Sequence, residues 1–403
     1  MWINFDQLLD LPNVTVVNYQ KIDETIFLKL ALLNETIECP NCHQTLDRIN
    51  QTEYNLVRDL SILGNRVYLE VPRRQFHCQK CQKYISERLS FMRLRQHHTI
   101  RYESMIYERV KNCSIEEISR EEGLGWSEVE LIFNHCAKEL EKEEWEAPER
   151  ISLDEFSNLK GHKDFITTVV DLDKKILLDV IKGHKQEELM EALKAQPEAV
   201  REKVKEVSVD MWSGFTAVIK ELFPNAKIIY DRFHVMDIIN DELNKLRKLM
   251  GVHEKGLPHL LWKNKEDLKD EQKQQLEVIL KEHPCLGIAW EMKEEIRQIY
   301  QSSRTFRGAE RKLEKWIRIG GILYQSSASM IQKHLPGICN YFENHTTNGL
   351  IEGMNTKIKL IKRMSYGFTN FQHLRLKLFA CFNLQQKLTH ENQESRWDSL
   401  GLL

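Results

Sequence analysis

Val204-Lys205-Glu206-Val207-Ser208-Val209-Asp210 alternates apolar and polar side chains and ends on a carboxylate, which reads as a strand with an acid at its tip. Downstream, Ser213 to Phe223 reads as a helix stopped by Pro224, and Ala226-Lys227-Ile228-Ile229-Tyr230-Asp231 as a further strand. Upstream, Ile151-Ser152-Leu153-Asp154, Phe165 to Leu172 and Lys175 to Ile181 are β-prone, and Glu187 to Ala195 is helical. The series is three strands, a helix, a strand, a helix and a strand. It is an α/β pattern whose first three strands can run as an antiparallel meander.

That order matches a ribonuclease-H-like core, so the expected fold is a multidomain α/β chain with such a core. The core's first part is placed at residues 149–236. From 237 to 345 the chain reads as Lys/Glu-rich helices punctuated by Gly251, Gly256, Pro258, Pro284 and Gly320-Gly321. Trp262, Trp290 and Trp316 are its expected packing anchors, and the whole stretch is an all-helical insertion. The second part of the core and a tail occupy 346–403. Ahead of the core, residues 1–95 form a small β-rich domain: Val14 to Val17 and Thr25 to Leu30 are β-prone, and Arg66 to Val71 alternates. Residues 96–148 are helical. Met105, Ile106 and Val110 share one face, Ile115 to Glu122 ends at Gly123, and a third helix with Val129, Ile132 and Phe133 follows Ser127 as N-cap. The Glu-rich run Glu139 to Arg150, broken by Pro148, is the linker to the core.

At 403 residues, 41% hydrophobic and 29% charged, the chain has the composition of a folded protein of several domains rather than a disordered one. It contains no apolar run near the roughly 20 residues that span a bilayer, and Met1-Trp2-Ile3-Asn4-Phe5-Asp6 lacks the character of a signal peptide. A cytoplasmic location with no membrane partner is expected. The net charge of -2 conceals opposed blocks. Residues 66–111 carry eleven Lys or Arg against four Glu, and 357–377 carry six Lys or Arg and no acid, whereas 114–150 hold twelve Glu against four basic residues. Local basic stretches therefore allow a polyanionic partner that the total hides.

Of nine cysteines, five stand singly in helix-like sequence, which suits reduced thiols. Cys39-Pro40-Asn41-Cys42 and Cys78-Gln79-Lys80-Cys81 are the other four, two C-x-x-C pairs at the spacing of zinc knuckles. Together they predict one structural Zn²⁺ held by Cys39, Cys42, Cys78 and Cys81. The 35 intervening residues require an extra hairpin, and His43 and His77 adjoin the pairs as alternative ligands.

Ile115 to Glu122, Gly123-Leu124-Gly125-Trp126 and Ser127 to Leu140 fit a helix-turn-helix, and equally a trihelical linker or dimerisation element. The second helix carries Glu128, Glu130 and Glu139 against Lys138, a poor match to phosphate. The basic stretch from Arg88 to Arg109, with Arg88, Arg93, Arg95 and Arg101 among aromatic residues, is the better candidate for DNA contact.

Asp154 falls on the first strand of the core and Asp210 at the end of the fourth, strands adjacent in a ribonuclease-H-like sheet. Glu352, in Asn348-Gly349-Leu350-Ile351-Glu352-Gly353-Met354-Asn355, opens a helix that continues through Lys357, Lys359, Lys362 and Arg363. Glu352, Asn355 and Lys359 share a face. Carboxylates so placed suit a pair of divalent ions about 3.5–4 Å apart acting on a phosphodiester, with the basic residues holding DNA.

Ser152-Leu153-Asp154-Glu155-Phe156-Ser157 with Lys160-Gly161-His162, Val207 to Trp212, Phe223-Pro224-Asn225-Ala226, Asp231-Arg232-Phe233-His234-Val235 and Asn348 to Gly353 through Lys362-Arg363 resemble the bacterial insertion-sequence transposases of the ISL-three family. The likeness runs over nearly the whole chain. It implies a zinc-binding domain, a helix-turn-helix and a DDE domain with a helical insertion before its glutamate. It implies Asp154, Asp210 and Glu352 as ligands of two Mg²⁺ or Mn²⁺ ions, and adds weight to zinc at the four cysteines. Asp231 and His234 resemble the D-x-x-H element of several transposases. There His234 either orients a phosphate or hydrogen-bonds behind Asp210; Arg232, a residue along a strand from Asp231, faces away. The partners implied are double-stranded DNA, as terminal inverted repeats and as target, and a second copy of the chain in a homodimer or larger homo-oligomer. Two rival readings stay open: a catalytically inert DNA-binding regulator, and a nuclease that cuts without joining.

Overall fold

A computed structural model describes residues 4–140, 144–159, 163–346, 349–368 and 370–382, and leaves the side chains of 139–140, 158–159, 163–164 and 349–352 undescribed. Two compact units result. One comprises residues up to Glu141 together with Ile361–Cys381, the other the stretch from Lys142 to Leu360.

The first unit opens with α1 (Phe5–Leu9) and the strands β1 (Val14–Ile22), β2 (Thr25–Leu32), β3 (Ile37–Glu38), β4 (Thr45–Leu46), β5 (Ile49–Ile62), β6 (Asn65–Cys78) and β7 (Lys83–Ser86). Its main sheet runs β1-β2-β6-β5, with β7 pairing the far part of β6. Alternation sets its faces: Ile26, Leu28 and Leu30 of β2 point inward and meet Val57, Val67, Leu69 and Val71. Between β5 and β6 the pairing of Ile62 with Asn65 leaves a two-residue turn, and both Leu63 (φ 48°) and Gly64 (φ 79°) adopt the left-handed conformation such a turn needs.

The helices α2 (Ile100–Asn112), α3 (Ile115–Glu122) and α4 (Trp126–Leu140) follow. Thr99 and Ser114 cap the first two by accepting from the N–H groups of Tyr102 and Glu117, and Gly123 closes α3 at φ 68°. Ser127 is not the cap of α4. The Gly125 carbonyl already accepts from Glu128 and Val129, and the Glu128 carboxylate accepts from the Gly125 N–H, so the helix begins ahead of Ser127.

The second unit contains β8 (Arg150–Leu159), β9 (Lys163–Asp171), β10 (Ile176–Lys182), α5 (Gln186–Lys194), α6 (Glu198–Arg201), β11 (Glu206–Val209), α7 (Ser213–Leu222) and β12 (Lys227–Tyr230). The strands make one mixed sheet in the order β10-β9-β8-β11-β12. β10, β9 and β8 are antiparallel neighbours, and β11 lies parallel to both β8 and β12. Ile151, Leu153, Val207, Val209 and Ile229 are fully buried in its core with Leu189, Phe215 and Ile219 of the flanking helices.

Six helices then run from α8 (Arg232–Leu249) through α9 (Leu257–Trp262), α10 (Asp270–Glu282), α11 (Pro284–Ser302) and α12 (Phe306–Gly320) to α13 (Gln325–Asn344), and α14 (Gly349–Met364) follows. Trp316 and Trp290 are buried, and Trp316 donates from Nε1 to the Met292 carbonyl at 2.8 Å. Trp262 does not share that role: it sits at the end of α9 and is 44% exposed. α13 lies against β12, where Asn340 donates to the Ile228 carbonyl at 2.8 Å and Gly337 leaves room for the Tyr230 ring; a Cβ there would come within 2.5 Å of it.

The last described helix, α15 (Phe371–Phe382), belongs largely to the first unit. Its Leu376 and Ala380 join Ile106, Ile118, Val129 and Phe133 in one apolar cluster, and Lys377 donates to the Cys113 carbonyl at the end of α2 at 3.0 Å. Among the described residues no helix is long and apolar enough to cross a membrane.

Candidate zinc site and carboxylate centre

The two C-x-x-C pairs come together because the long β5–β6 hairpin occupies the sequence between them and returns β6 to the first knuckle. The four sulfur atoms lie within 4.8 Å of one another. Cys39 and Cys81 are 4.0 Å apart and Cys42 and Cys78 are 3.6 Å apart. A zinc–sulfur bond of about 2.3 Å in a tetrahedron requires sulfur–sulfur edges of roughly 3.8 Å, so this is the spacing of a four-thiolate zinc site. Backbone N–H groups of Asn41 and Cys42 draw the Cys39 thiol down to about 6, against its burial, and the neighbouring thiols, Cys42 first, push Cys81 up to about 12. Four thiolates held this close repel one another unless a cation lies among them. All nine cysteines are free of disulfides. His43 and His77 are not part of the cluster: His43 pairs with Glu38 at 2.5 Å, and His77 packs against the ring of Tyr84 at 4.9 Å.

In the second unit, β8 and β11 pair Glu206 with Arg150, Val207 with Ile151 and Ser208 with Ser152. Asp154 stands two residues further along β8 and Asp210 directly follows the end of β11, so the parallel register brings the two carboxylates near enough for the Asp210 charge to act on Asp154. Asn355 of α14 donates from Nδ2 to Asp154 Oδ2 at 2.5 Å. Burial pushes the Asp154 carboxyl up from its usual range; Asn355 and the nearby His234 oppose this, and the Asp210 carboxylate adds to it. Asp210 itself accepts from the Trp212 N–H at 2.8 Å. The Asn355 amide also has a buried Oδ1 without a partner among the described residues, a polar atom that a hydrated cation beside Asp154 would satisfy.

Glu352 lies on α14 one helical turn before Asn355, and its side chain is outside the described residues, as are Lys160-Gly161-His162 and Asn348. His234 is on the first turn of α8, and Asp231 is the residue preceding that helix. The expected strand geometry around Arg232 is therefore corrected. Arg232 is the first residue of α8, and its guanidinium lies 5.5 Å from the centre of the Tyr300 ring.

The basic residues divide. Arg88 and Arg95 are exposed. Arg93 is instead paired with buried Glu103, and Arg101 donates to Asp59 at 2.8 Å and to the Leu9 carbonyl at 2.6 Å, so both guanidinium groups are committed within the fold. On α14, Lys357, Lys359 and Arg363 are exposed and Lys362 is half-buried, with the Lys357 ammonium 4.5 Å from the centre of the Phe382 ring. On α4, Glu128 and Glu130 pair with His98 and His373, at 3.1 and 2.8 Å.

A further pair escaped the sequence reading. Glu155 and His184 form a hydrogen bond at 3.1 Å beside Asp210. Glu155 directly follows Asp154, but a histidine before α5 gives no sequence signal of facing it.

Family models agree with this layout. One described as a zinc-finger of the transposases of IS204, IS1001, IS1096 and IS1165 matches residues 35–81, and one described as the helix-turn-helix domain of transposase family ISL3 matches 87–137. A third, the transposase model of the ISL3 DDE class, matches 151–378, more than half of the chain. The chain belongs to the ISL3 transposase family. It is similar to the transposase for insertion sequence element IS1001 of Bordetella parapertussis, 26% identical over 373 residues that cover 89% of this chain and 92% of that one. It is also similar to the transposase for insertion sequence element IS1557 of Mycobacterium tuberculosis, 27% identical over 319 residues, 69% of this chain and 70% of that one. The ISL3 chain thus combines a zinc ribbon, whose four cysteines are positioned for the metal, with a DNA-binding helix-turn-helix and a transposase domain.

Proposed function

We propose that the protein moves an insertion sequence by binding its terminal inverted repeats, hydrolysing a phosphodiester at each end and joining the freed 3′-hydroxyls to target DNA. The observation that carries this reading is the register of β11 on β8, which sets Asp210 beside Asp154, together with the bond from Asn355 to Asp154. The mixed sheet order, with its antiparallel meander and two parallel strands, supports a ribonuclease-H-like core, and α8–α13 are its helical insertion.

In this reading Asp154, Asp210 and Glu352 hold two Mg²⁺ or Mn²⁺ ions. Bound there, the ions supply an activated oxygen nucleophile and steady the leaving oxygen. The chain's own contribution is placement. Asn355 holds Oδ2 of Asp154 and the Glu155 backbone N–H holds its Oδ1, so a cation would use the remaining lone pairs of a carboxylate already fixed in direction, while the Trp212 N–H fixes one oxygen of Asp210. His234, at the N-terminal turn of α8, lies near Asp154 and orients a phosphate against it. Arg88, Arg95, Lys357, Lys359, Lys362 and Arg363 hold the DNA backbone; Arg93 and Arg101 are left out of that set because they are paired internally. The protein works as a homodimer or larger assembly, since two ends are joined together.

The experiment is cleavage and strand transfer on end DNA with Mg²⁺. Asp154→Asn, Asp210→Asn and Glu352→Gln should each lose both steps while still binding DNA. Retained cleavage in any of them would remove that residue from the metal site, and cleavage without joined product from pre-cut ends would make the protein a nuclease.

A further inference from the structure

Beside the carboxylate centre the chain has built a compact stack that the proposed chemistry does not use. His184, in the loop between β10 and α5, lies between two rings: Phe165 of β9 at 4.2 Å with a 19° tilt, and Trp212 at 5.8 Å with a 28° tilt. Trp212 in turn meets Phe215 of α7 edge-on at 5.1 Å. Its ring lies so close over Gly214 that a Cβ there would come within 2.0 Å of it. The imidazole Nδ1 is tied to Glu155 Oε2 at 3.1 Å, and the Trp212 backbone N–H donates to Asp210 Oδ1 at 2.8 Å. Read in order, the contacts run from β8 (Glu155) through His184 and Trp212 to Asp210. The three residues 210–212 join β11 to α7 and have no strand neighbour of their own; this stack, together with the packing of Met211 and Trp212 on the core, holds them against the sheet.

We propose that Glu155 and His184 are positioning residues for Asp210: the hydrogen-bonded pair holds the Trp212 segment so that the Asp210 carboxylate faces Asp154 at the separation a divalent cation requires. The proposal rests on the reading of Asp210 as a metal ligand. Glu155 acts through the histidine and is not itself a ligand. Partners that orient a ligand are commonly worth ten- to a hundredfold in metal affinity, because a carboxylate free to swing must be ordered on binding.

The test is binding of Mn²⁺ to the full-length protein without DNA, followed by the electron-spin signal of free Mn²⁺, with melting temperature measured alongside. Glu155→Ala and His184→Ala should weaken Mn²⁺ binding by about tenfold or more. Glu155→Gln, which can still accept from the imidazole, should stay within about threefold of wild type, and His184→Phe, which keeps the stack but loses the hydrogen bond, should resemble His184→Ala. If Glu155→Gln binds as weakly as Glu155→Ala, Glu155 is a ligand and the proposal is overturned; unchanged affinity in folded Glu155→Ala and His184→Phe overturns it too. Asp210→Asn separates the two levels. Wild-type Mn²⁺ binding in that variant would defeat the underlying assignment of Asp210, whereas its loss alongside normal binding in the pair variants would defeat only the positioning role.

Discussion

Asn355 donates its side-chain N–H to Asp154 Oδ2 at 2.5 Å across 201 residues of sequence, joining the helix that carries Glu352 to the first strand of the mixed sheet. The bond stabilises the ionised form of a carboxylate that burial and Asp210 both disfavour. Asn355→Ala should therefore lower end cleavage by about ten- to a hundredfold, with only a small change in melting temperature. Cleavage at the wild-type rate would show that this bond serves the fold alone.

The raised Asp154 carboxyl has a consequence for stability with pH. Below the ordinary aspartate range the group is protonated whether the chain is folded or not, and the native state bears no cost. As pH rises through the elevated folded value, ionisation must be made against burial, so stability is lost. In buffer free of Mg²⁺ and Mn²⁺, Asp154→Asn should melt above wild type at neutral pH, and the gap should close as pH falls below about 4. Calorimetric scans at several pH values would sink this account if the variant melted lower at all of them.

The zinc knuckles rest on a very small core, in which Cys39 and Cys78 pack with Leu46 and Phe76. So few apolar side chains do not hold a fold by themselves, and structural zinc contributes on the order of 10 kcal/mol in comparable small sites. Cys78→Ser should reduce bound zinc from one per chain to near none and open residues 35–81 to proteolysis. Exposed Cys285 is the control: Cys285→Ser should keep its zinc. Equal zinc content in both variants would contradict the site.

Leu376 is 4% exposed in the cluster that α15 shares with α2, α3 and α4. Leu376→Asp places a carboxylate among apolar side chains, at a cost of several kcal/mol. The first unit should unfold well below its wild-type melting temperature, while Leu131→Asp, at a 60% exposed position of α4, should change it little. Matching melting curves for the two would mean that α15 does not support the helix-turn-helix.

The sequence by itself determined what depends on neighbours along the chain. Each C-x-x-C pair is a local turn, so its spacing already announced a metal. Strands form close to where β-prone sequence placed them around Asp154 and Asp210, but the alternation of Glu206 to Val209 did not foretell its burial, since the central strand is covered on both faces and Glu206 and Ser208 are buried with their apolar neighbours. Tertiary structure decided whatever depends on a distant partner. Two acids of α4, the helix whose Glu residues looked ill-suited to DNA, have histidine partners, Glu128 with His98, whose burial favours the neutral ring, and Glu130 with His373, more than two hundred residues away. Arg93 and Arg101 look like phosphate ligands in a basic run, yet Glu103 and Asp59 hold them. Asp231 and Arg232 read as the end of a strand and stand at a helix start, because β12 stops at Tyr230. A charge in a sequence has a sign but no counterion. Only folding assigns the counterion, through burial that makes an unpaired charge too costly to keep.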